Sequence, residues 1–462
     1  MQKYEFVLQE IWGSQWKLRS QQPAIVEALI KHQDVLALLP TGEGKSLCYQ
    51  LAGLTLGGST LVLSPLIALM QDQVQSLQNK HIPVTHLDSQ MSQWKREKEL
   101  KAIQKQGGFI YASPEQLQGK ALQQWFQQFP PQLVIIDEAH CISQWGHDFR
   151  PAYRQIPDFI RALPQRPVIG AFTATAPTRV AQDITDLLEL DRPLQVKGIP
   201  LQPHIYLACK QSWTPRGKFQ QLRLALQAKT LIYVSSRTEA ENLSQHLQAL
   251  CYHAGMAQAQ RNQAFEQFAQ QEKVTLVATK AFGMGVDIGD IARVIHWQIP
   301  ESLSAYVQEV GRAGRNRSTE ASALLLSAWG EKSPAESMSQ AGKIESNLLK
   351  TLLNALQSPQ TLLSLRQQFQ LSDTVVFPIL EHLKQHGLLE SDGTFFQMTV
   401  KVSNQLIKEI LATRQALIVQ RQYDFKEIKQ YLNASQCRRK VLFKAFDVPV
   451  PEMDCGNCDR CV

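Results

Sequence analysis

Three groups of residues in this sequence have the types and spacing to do chemistry. The first is PTGEGKS at 40–46. Gly42 and Gly44 let backbone N–H groups curl round an anion, Lys45 can reach the outer phosphates of a nucleotide, and Ser46 offers a hydroxyl to Mg²⁺ at a helix start. The second is the carboxylate pair Asp137 and Glu138, set directly after the apolar run Leu133 to Ile136. A strand that ends in carboxylates puts them at the edge where open α/β sheets bind ligands, which suits a Mg²⁺ ion. The third is Cys437-x17-Cys455-x2-Cys458-x2-Cys461, four thiolates at spacings that suit a closed tetrahedral Zn²⁺ site.

Other residues fall around these. The segment after Glu138 carries Trp145, His147, Phe149, Arg150 and Tyr153. Aromatics interleaved with cations suit the stacked bases and phosphates of a single strand, and Gly146, Asp148 and Arg150 break any core periodicity. Arg19 and Gln22 precede the phosphate loop, where a Gln amide can read an adenine edge with paired donor and acceptor. Thr41 belongs to the loop itself. Ser64, at a strand end and followed by Pro65, fits either a phosphate-backbone contact or plain helix capping. Thr173 and Thr175, in FTATA, are placed beside Asp137 and Glu138, where small hydroxyls can relay nucleotide state. Arg312 and Arg315, three apart and next to Gly311 and Gly314, can reach a phosphoryl group across a cleft.

The elements that must position these groups follow a repeated strand–helix rhythm. VLALL (35–39), TLVLS (60–64), the run from 109 and Leu133–Ile136 read as buried parallel strands of one sheet, with VIGAFTATA (168–176) closing its core. Near residue 200 the rhythm restarts with TLIYVSSR (230–237), YHAGM (252–256), VTLVATKAFGMGVD (274–287) and RVIHW (293–297), which build a second α/β sheet of similar plan. Two such lobes with a nucleotide between them make a motor whose closure depends on ATP.

Taken together the motifs resemble the RecQ-type DNA helicases of superfamily 2, over essentially the whole chain. LPTGEGKSLCYQ, SPLIALMQDQV, DEAHCISQWGHDFRP, FTATA, YHAGM, AFGMGVD and QEVGRAGR stand in family order, and the aromatic segment after DEAH is the most specific of them. The resemblance implies ATP-driven 3′→5′ translocation on single-stranded DNA and unwinding in recombination and repair. It implies adenine reading by Gln22 beside Arg19, nucleotide contacts from Thr41, Gly42, Gly44, Lys45, Ser46 and Asp287, and catalysis by Lys45, Asp137, Glu138, Arg312 and Arg315. DNA contact or coupling falls to Ser64, Trp145, His147, Phe149, Arg150, Arg237, His253 and Phe395. Three positions depart from the pattern: Asn316-Arg317 where Asp-Gly is usual, Ile288-Gly289 for Lys-Pro, and Ser20-Gln21 for Pro-Gly.

Module order is the larger departure. About a hundred residues separate the arginine motif from Cys437, where family members pass quickly to zinc and place a winged helix after it. SNLLKTLLNAL, TLLSLRQQF and VFPILEHLKQHGLLE have helical spacing, and SDGTFFQM follows with an Asp392-Gly393 turn, so a winged helix is expected before the zinc site. Phe395 or Phe396 fits either a strand-separating wedge or packing on those helices. The basic helix RRKVLFKAF, directly after Cys437, fits either a DNA-phosphate contact or a solvated face.

The expected architecture is α/β: two tandem RecA-like parallel-sheet lobes (1–203, binding ATP, and 204–335), a mostly α winged-helix-like segment (340–402) and a zinc-binding helical subdomain (405–462). The 462 residues, 44% hydrophobic and 19% charged with a net charge of +7, describe an ordinary globular chain. No apolar run reaches membrane-span length and the N-terminus lacks a signal-peptide layout, so the cytoplasm is the expected compartment, nucleoid-associated if bacterial. Cys48, Cys141, Cys209 and Cys251 read as free core thiols. The expected partners are single-stranded and branched DNA and a single-strand-binding protein, with a monomer as oligomeric state. A translocase that remodels DNA without processive strand separation is the alternative activity.

Overall fold

The computed structural model describes every residue except 1–2, 41, 66, 88–90, 144–149, 175, 227, 284–287, 289, 317–319, 332–335, 338–343, 372, 386 and 392–394. Short runs rich in β-branched and leucine residues, several of them closed by Gly, Pro or Ser, set the framework. In the first half these are β1 (Val35–Leu38), β2 (Ser59–Leu63), β3 (Val84–Leu87), β4 (Gly108–Ala112), β5 (Leu133–Ile136), β6 (Val168–Thr173) and β7 (Leu194–Lys197). They form one sheet in the order β3-β4-β2-β5-β6-β1-β7, all neighbours parallel.

Both faces of this sheet are covered, so its central strands are buried at every position. The alternation still sorts side chains between two cores. Leu36, Leu38, Val134 and Ile136 pack on one face with the helix Ile156–Ala162, while Val35, Ala37, Leu133 and Ile135 pack on the other with the helices Gln22–Ile30 and Lys45–Leu56.

The second sheet contains β8 (Ile205–Ser212), β9 (Thr230–Tyr233), β10 (Leu250–Tyr252), β11 (Thr275–Ala278), β12 (Arg293–His296) and β13 (Ala321–Ala328), in the order β10-β11-β9-β12-β13-β8 and again parallel. The expected pair of parallel-sheet lobes is present. A single parallel bridge, Leu207 to Cys458, adds the C-terminal cysteine segment to the outer edge of β8. That edge would otherwise expose unpaired backbone groups.

Residues 330–430, with 299–302, form a separate compact unit. Within it the helices Ser346–Ala355, Leu362–Phe369 and Asp373–Gln385 pack with a small antiparallel sheet of β14 (Gln360–Thr361), β15 (Leu389–Ser391) and β16 (Phe395–Met398), ordered β14-β16-β15. Leu349, Leu353, Leu365, Val376, Ile379 and Leu383 make its core. This is the helix, helix, helix, hairpin pattern of a winged helix. The 30-residue helix Asn404–Asn433 also contributes Leu406, Ile407 and Ile410 to that core, and the unit extends along it to Gln430.

Candidate functional site

β1 feeds the phosphate loop. Leu39 N–H still donates to Thr173 in β6 (3.0 Å), and the chain then turns through Gly42 (φ 83°) and Gly44 (φ 70°) into the helix Lys45–Leu56. Gly44 is required twice over: its backbone is left-handed, and a Cβ there would lie 2.6 Å from Gln22 Nε2. Gln22 is buried under the loop, accepting from Arg19 N–H (2.8 Å) and donating to Glu43 O (2.8 Å). Its amide is therefore engaged by backbone, and contact with an adenine edge requires those bonds to be exchanged. Arg19 is exposed beside it, and Lys45 Nζ donates to Leu39 O (3.2 Å). Ser46 is half-buried at the helix start. Thr41 lies outside the described residues.

The carboxylates sit two strands away. Asp137 N–H bonds Leu63 O in β2 (2.8 Å), and Tyr153 O–H closes the other side on Asp137 O (2.8 Å). Asp137 Oδ1 accepts from Glu138 N–H (3.0 Å), and Oδ2 lies 3.5 Å from Ser64 Oγ. Burial, then the neighbouring Glu138 charge, pushes Asp137 above the ordinary carboxylate range against the pull of Lys45. A cation placed there would relieve the same pressure. Glu138 takes the left-handed region (φ 49°, ψ 46°), a strained choice for a residue with a Cβ. The buried His140 ring lies between Glu138 Oε2 (3.3 Å) and Thr173 Oγ1 (2.9 Å), so Thr173 is beside the pair; Thr175 lies outside the described residues.

Lobe two supplies the arginines. The helix Leu303–Val310 ends in a turn through Gly311, Arg312 and Ala313, and Gly314 (φ 62°) closes against His204. Arg312 is buried and its Nη2 lies 2.9 Å from where a Cβ on Gly283 would stand. Arg315 crosses to lobe one: its Cγ is 3.9 Å from the Cβ position of Gly42. The side-chain stem of an arginine from one lobe thus stands against the other lobe's phosphate loop. Asp287 lies outside the described residues.

The four C-terminal cysteines converge, with all four Sγ atoms within 4.8 Å of one another and Cys455 and Cys461 3.9 Å apart. Tetrahedral zinc with bonds of about 2.3 Å needs sulfurs about 3.8 Å apart, so the donor set fits Zn²⁺.

Comparison with known proteins agrees with this geometry. A DEAD/DEAH box helicase model matches residues 19–184, a helicase conserved C-terminal domain matches 217–317, and a RecQ zinc-binding domain matches 400–462. The chain is 34% identical to the ATP-dependent DNA helicase RecQ of Synechocystis over all of its own length and 98% of the relative's, and 32% identical to the probable ATP-dependent DNA helicase RecS of Bacillus subtilis over 100% and 92%. The chain belongs to the RecQ family of ATP-dependent DNA helicases. Among solved structures, the DUF1998 helicase MrfA bound to DNA matches with a TM-score of 0.59 at 19% identity, covering 87% of this chain and 63% of that one. Mss116p bound to single-stranded RNA matches at 0.57 and 14%, covering 91% and 94%. At these identities the structures speak for the fold alone. As a RecQ-family member the protein is an ATP-hydrolysing DNA helicase that uses Mg²⁺ and carries Zn²⁺.

The residues expected to touch DNA divide unevenly. Trp145, His147 and Phe149 lie outside the described residues, whereas Arg150 donates to Pro65 O (2.7 Å) in the Ser-Pro turn after β2. Arg237 is exposed at the start of the helix Arg237–Leu247. Ser64 is 2% exposed, with its hydroxyl 3.5 Å from Asp137 Oδ2. His253 is buried between Gly255 N–H (3.2 Å) and Glu241 (3.0 Å).

Phe395 is exposed on β16 and Phe396 packs on the helical core, so the pair divides between the two readings given for it. The basic helix Arg438–Ala445 is corrected most sharply. Arg438 and Arg439 are buried, Arg438 on Asp459 and Arg439 on the carbonyls of Leu201 (3.3 Å), Pro203 (3.0 Å) and Ile205 (2.5 Å). Arg439 fastens the zinc segment to the stretch 201–205, where lobe one passes into lobe two, and Arg438 ties that segment together from within. Gln202, which donates to Glu43 of the phosphate loop from far away in sequence, was not signalled by any motif. Glu309 lies inside QEVGRAGR, but its pairing with buried His296 (2.7 Å) was not signalled by the motif.

Proposed function

We propose that the protein translocates 3′→5′ along single-stranded DNA and unwinds duplex or branched DNA in recombination and repair. The observation that carries the mechanism is Arg315 from lobe two standing against Gly42 of lobe one's phosphate loop. ATP bound between the lobes would be gripped by Gly42, Gly44, Lys45 and Ser46, with Thr41, Asp287, Gln22 and Arg19 completing the nucleotide contacts. Mg²⁺, held by Ser46 and Asp137, would neutralise charge on the phosphates. Glu138 orients the attacking water, its own position fixed by the left-handed turn and by His140. Lys45, Arg312 and Arg315 stabilise the charge that develops in line. Loss of the γ-phosphate removes what the arginines hold, so the lobes part, and DNA held by Trp145, His147, Phe149, Arg150 and Arg237 advances. The zinc site is structural, with all four positions taken by thiolate.

The working modules are lobe one (1–203), lobe two (204–335), a winged helix (340–402) that supplies Phe395 to the fork, and the zinc subdomain (405–462). The reading also includes a cytoplasmic monomer that meets a single-strand-binding protein at its substrate. Among the described residues no helix is long and apolar enough to cross a membrane. The test is strand separation on partial duplexes with a 3′ or a 5′ single-stranded tail, with ATPase followed in parallel and Lys45→Ala as blank. Unwinding from the 3′ tail alone, lost in the blank, is expected. DNA-stimulated ATPase without unwinding on either tail would replace this reading by a translocase that remodels without separating strands.

A further inference from the structure

Four aromatic rings from four separate stretches of chain form a buried column behind Arg312. Tyr233, the last residue of β9, stacks on His296, the last of β12 (centroids 5.6 Å, 23° between planes). His296 meets Tyr306 of the helix Leu303–Val310 (5.0 Å), and Tyr306 meets Tyr431 (5.1 Å) with the two hydroxyls 3.3 Å apart. None of the four is more than 4% exposed. At one end the Tyr233 hydroxyl donates to Phe282 O (2.7 Å) and lies close enough to the Arg312 side chain to feel its charge. At the other end Arg438 lies over the Tyr431 ring (5.5 Å) and is clamped by Asp459, between zinc ligands Cys458 and Cys461. His296 Nε2 also pairs with Glu309 Oε2 (2.7 Å), and Glu309 O accepts Arg312 N–H (3.3 Å), so the column grips the turn as well as the side chain.

Ordinary core packing does not call for this. A core built for burial alone would use Leu, Ile or Phe, since each buried hydroxyl or imidazole must find a partner. Here the three hydroxyls and the imidazole are carried by rings that touch in series, and the series ends beside a charged side chain that is itself buried. Gly283 leaves the space Arg312 occupies, with Nη2 only 2.9 Å from where a Cβ would stand.

We propose that Tyr233, His296, Tyr306 and Tyr431 are positioning residues that hold the Arg312 guanidinium in place for ATP hydrolysis, with the zinc subdomain as the column's fixed end. The proposal rests on the reading of Arg312 as an arginine that stabilises the transferring phosphoryl group. Its mechanical content is simple. A guanidinium on a flexible stem loses rate with small displacements, and a buried column of packed rings takes that freedom away before ATP arrives.

The experiment is steady-state ATPase of the full chain at saturating single-stranded DNA. The variants are Tyr306→Leu, Tyr431→Leu, Tyr306→Phe, Tyr233→Phe, Arg312→Ala and the double variant Tyr431→Leu/Arg312→Ala, with zinc content and DNA affinity measured on each. The Leu variants are expected to lose about 10-fold in kcat, with KM for ATP and DNA affinity within about 2-fold of wild type. Tyr306→Phe keeps the ring and should restore kcat. The double variant should be no slower than Arg312→Ala alone, because the column acts only through that arginine. Unchanged kcat in the Leu variants, or losses that multiply in the double variant, overturns the proposal. Should the Leu variants fail to hold zinc, Tyr233→Phe decides, since it removes one hydroxyl: kcat down at constant KM supports the column, and unchanged kcat overturns it. An Arg312→Ala variant with wild-type kcat would instead overturn the reading of Arg312 itself.

Discussion

Arg438 and Asp459 form a two-pronged ion pair, Nε to Oδ1 at 2.8 Å and Nη2 to Oδ2 at 3.0 Å, with the guanidinium entirely buried. The same Asp459 carboxylate accepts Cys209 N–H from β8 (3.0 Å), and its own N–H donates to Leu207 O (2.9 Å). One residue thus welds the zinc segment to the edge of lobe two. The geometry is the fork-to-carboxylate arrangement that favours Arg over Lys.

Breaking this pair from the acidic side should be costly. Asp459→Ala leaves a buried cation without its counter-charge, a change worth about 3–5 kcal/mol. Arg438→Met removes the charge along with the bond and should cost less. Thermal unfolding of lobe two and zinc content report both: Asp459→Ala is expected to melt earlier and hold less zinc than Arg438→Met. The reverse order would mean that the pair carries little of the attachment.

Arg315 gives a kinetic prediction. Its guanidinium is delivered from lobe two while Lys45 and Asp137 belong to lobe one, so its loss should leave nucleotide binding largely intact. Arg315→Ala is expected to lower kcat for ATP by ~10³-fold or more, with little change in nucleotide affinity measured without turnover. An equal loss in affinity and in kcat would make Arg315 a ground-state binding residue instead.

Zinc removal should act on a bounded stretch. Cys437 to Cys461 hold the segment that covers the edge of β8, whereas Leu406, Ile407 and Ile410, on the first part of the same long helix, pack in the winged-helix core. Hydrogen exchange in chelator should therefore rise over 437–462 and 205–212 and stay low over 404–418. ATP binding to lobe one should persist. Exchange rising uniformly along 404–433 would show that zinc holds the whole helix.

How much of this the sequence announces depends on how local each interaction is. The phosphate loop, the strand-end carboxylates and the cysteine set are contiguous or regularly spaced, and each appears where its motif puts it. Arg438 and Arg439 read as a charged face because their carboxylate and most of their carbonyl partners are remote in sequence, Asp459 and residues 201–205, with only the carbonyls of Tyr431 and Leu432 nearby. The buried hydrogen bonds of Ser64 and His253 were not legible for a related reason, since a polar residue at a strand end fits a ligand edge and a buried hydrogen bond equally well. The column of Tyr233, His296, Tyr306 and Tyr431 has no period at all. Its rings belong to two strands and two helices, and only the parallel register of β9 and β12, with His296 opposite Tyr233, brings the first pair together.

The long helix supplies a pH prediction through Asp424, half-buried there with Gln420 donating to it (2.7 Å). Burial, with the nearby charges of Glu427 and Glu301, pushes its carboxyl up to about 6 despite that hydrogen bond. The folded protein therefore keeps the proton at pH values where the unfolded chain, with an ordinary carboxyl near 4, has already lost it. Between about pH 4 and 6 the native state binds more protons than the unfolded one, so stability falls as pH rises, and the full penalty is present above 6. Asp424→Asn keeps the acceptor for Gln420 and removes the charge. It should raise stability by about 1 kcal/mol at pH 8, by less at pH 6, and hardly at all near pH 4.5, as read from the difference in unfolding temperature between variant and wild type. A difference that stays constant with pH would assign the gain to something other than the carboxylate. A variant less stable than wild type at pH 8 would mean that the charge at Asp424 is one the fold uses.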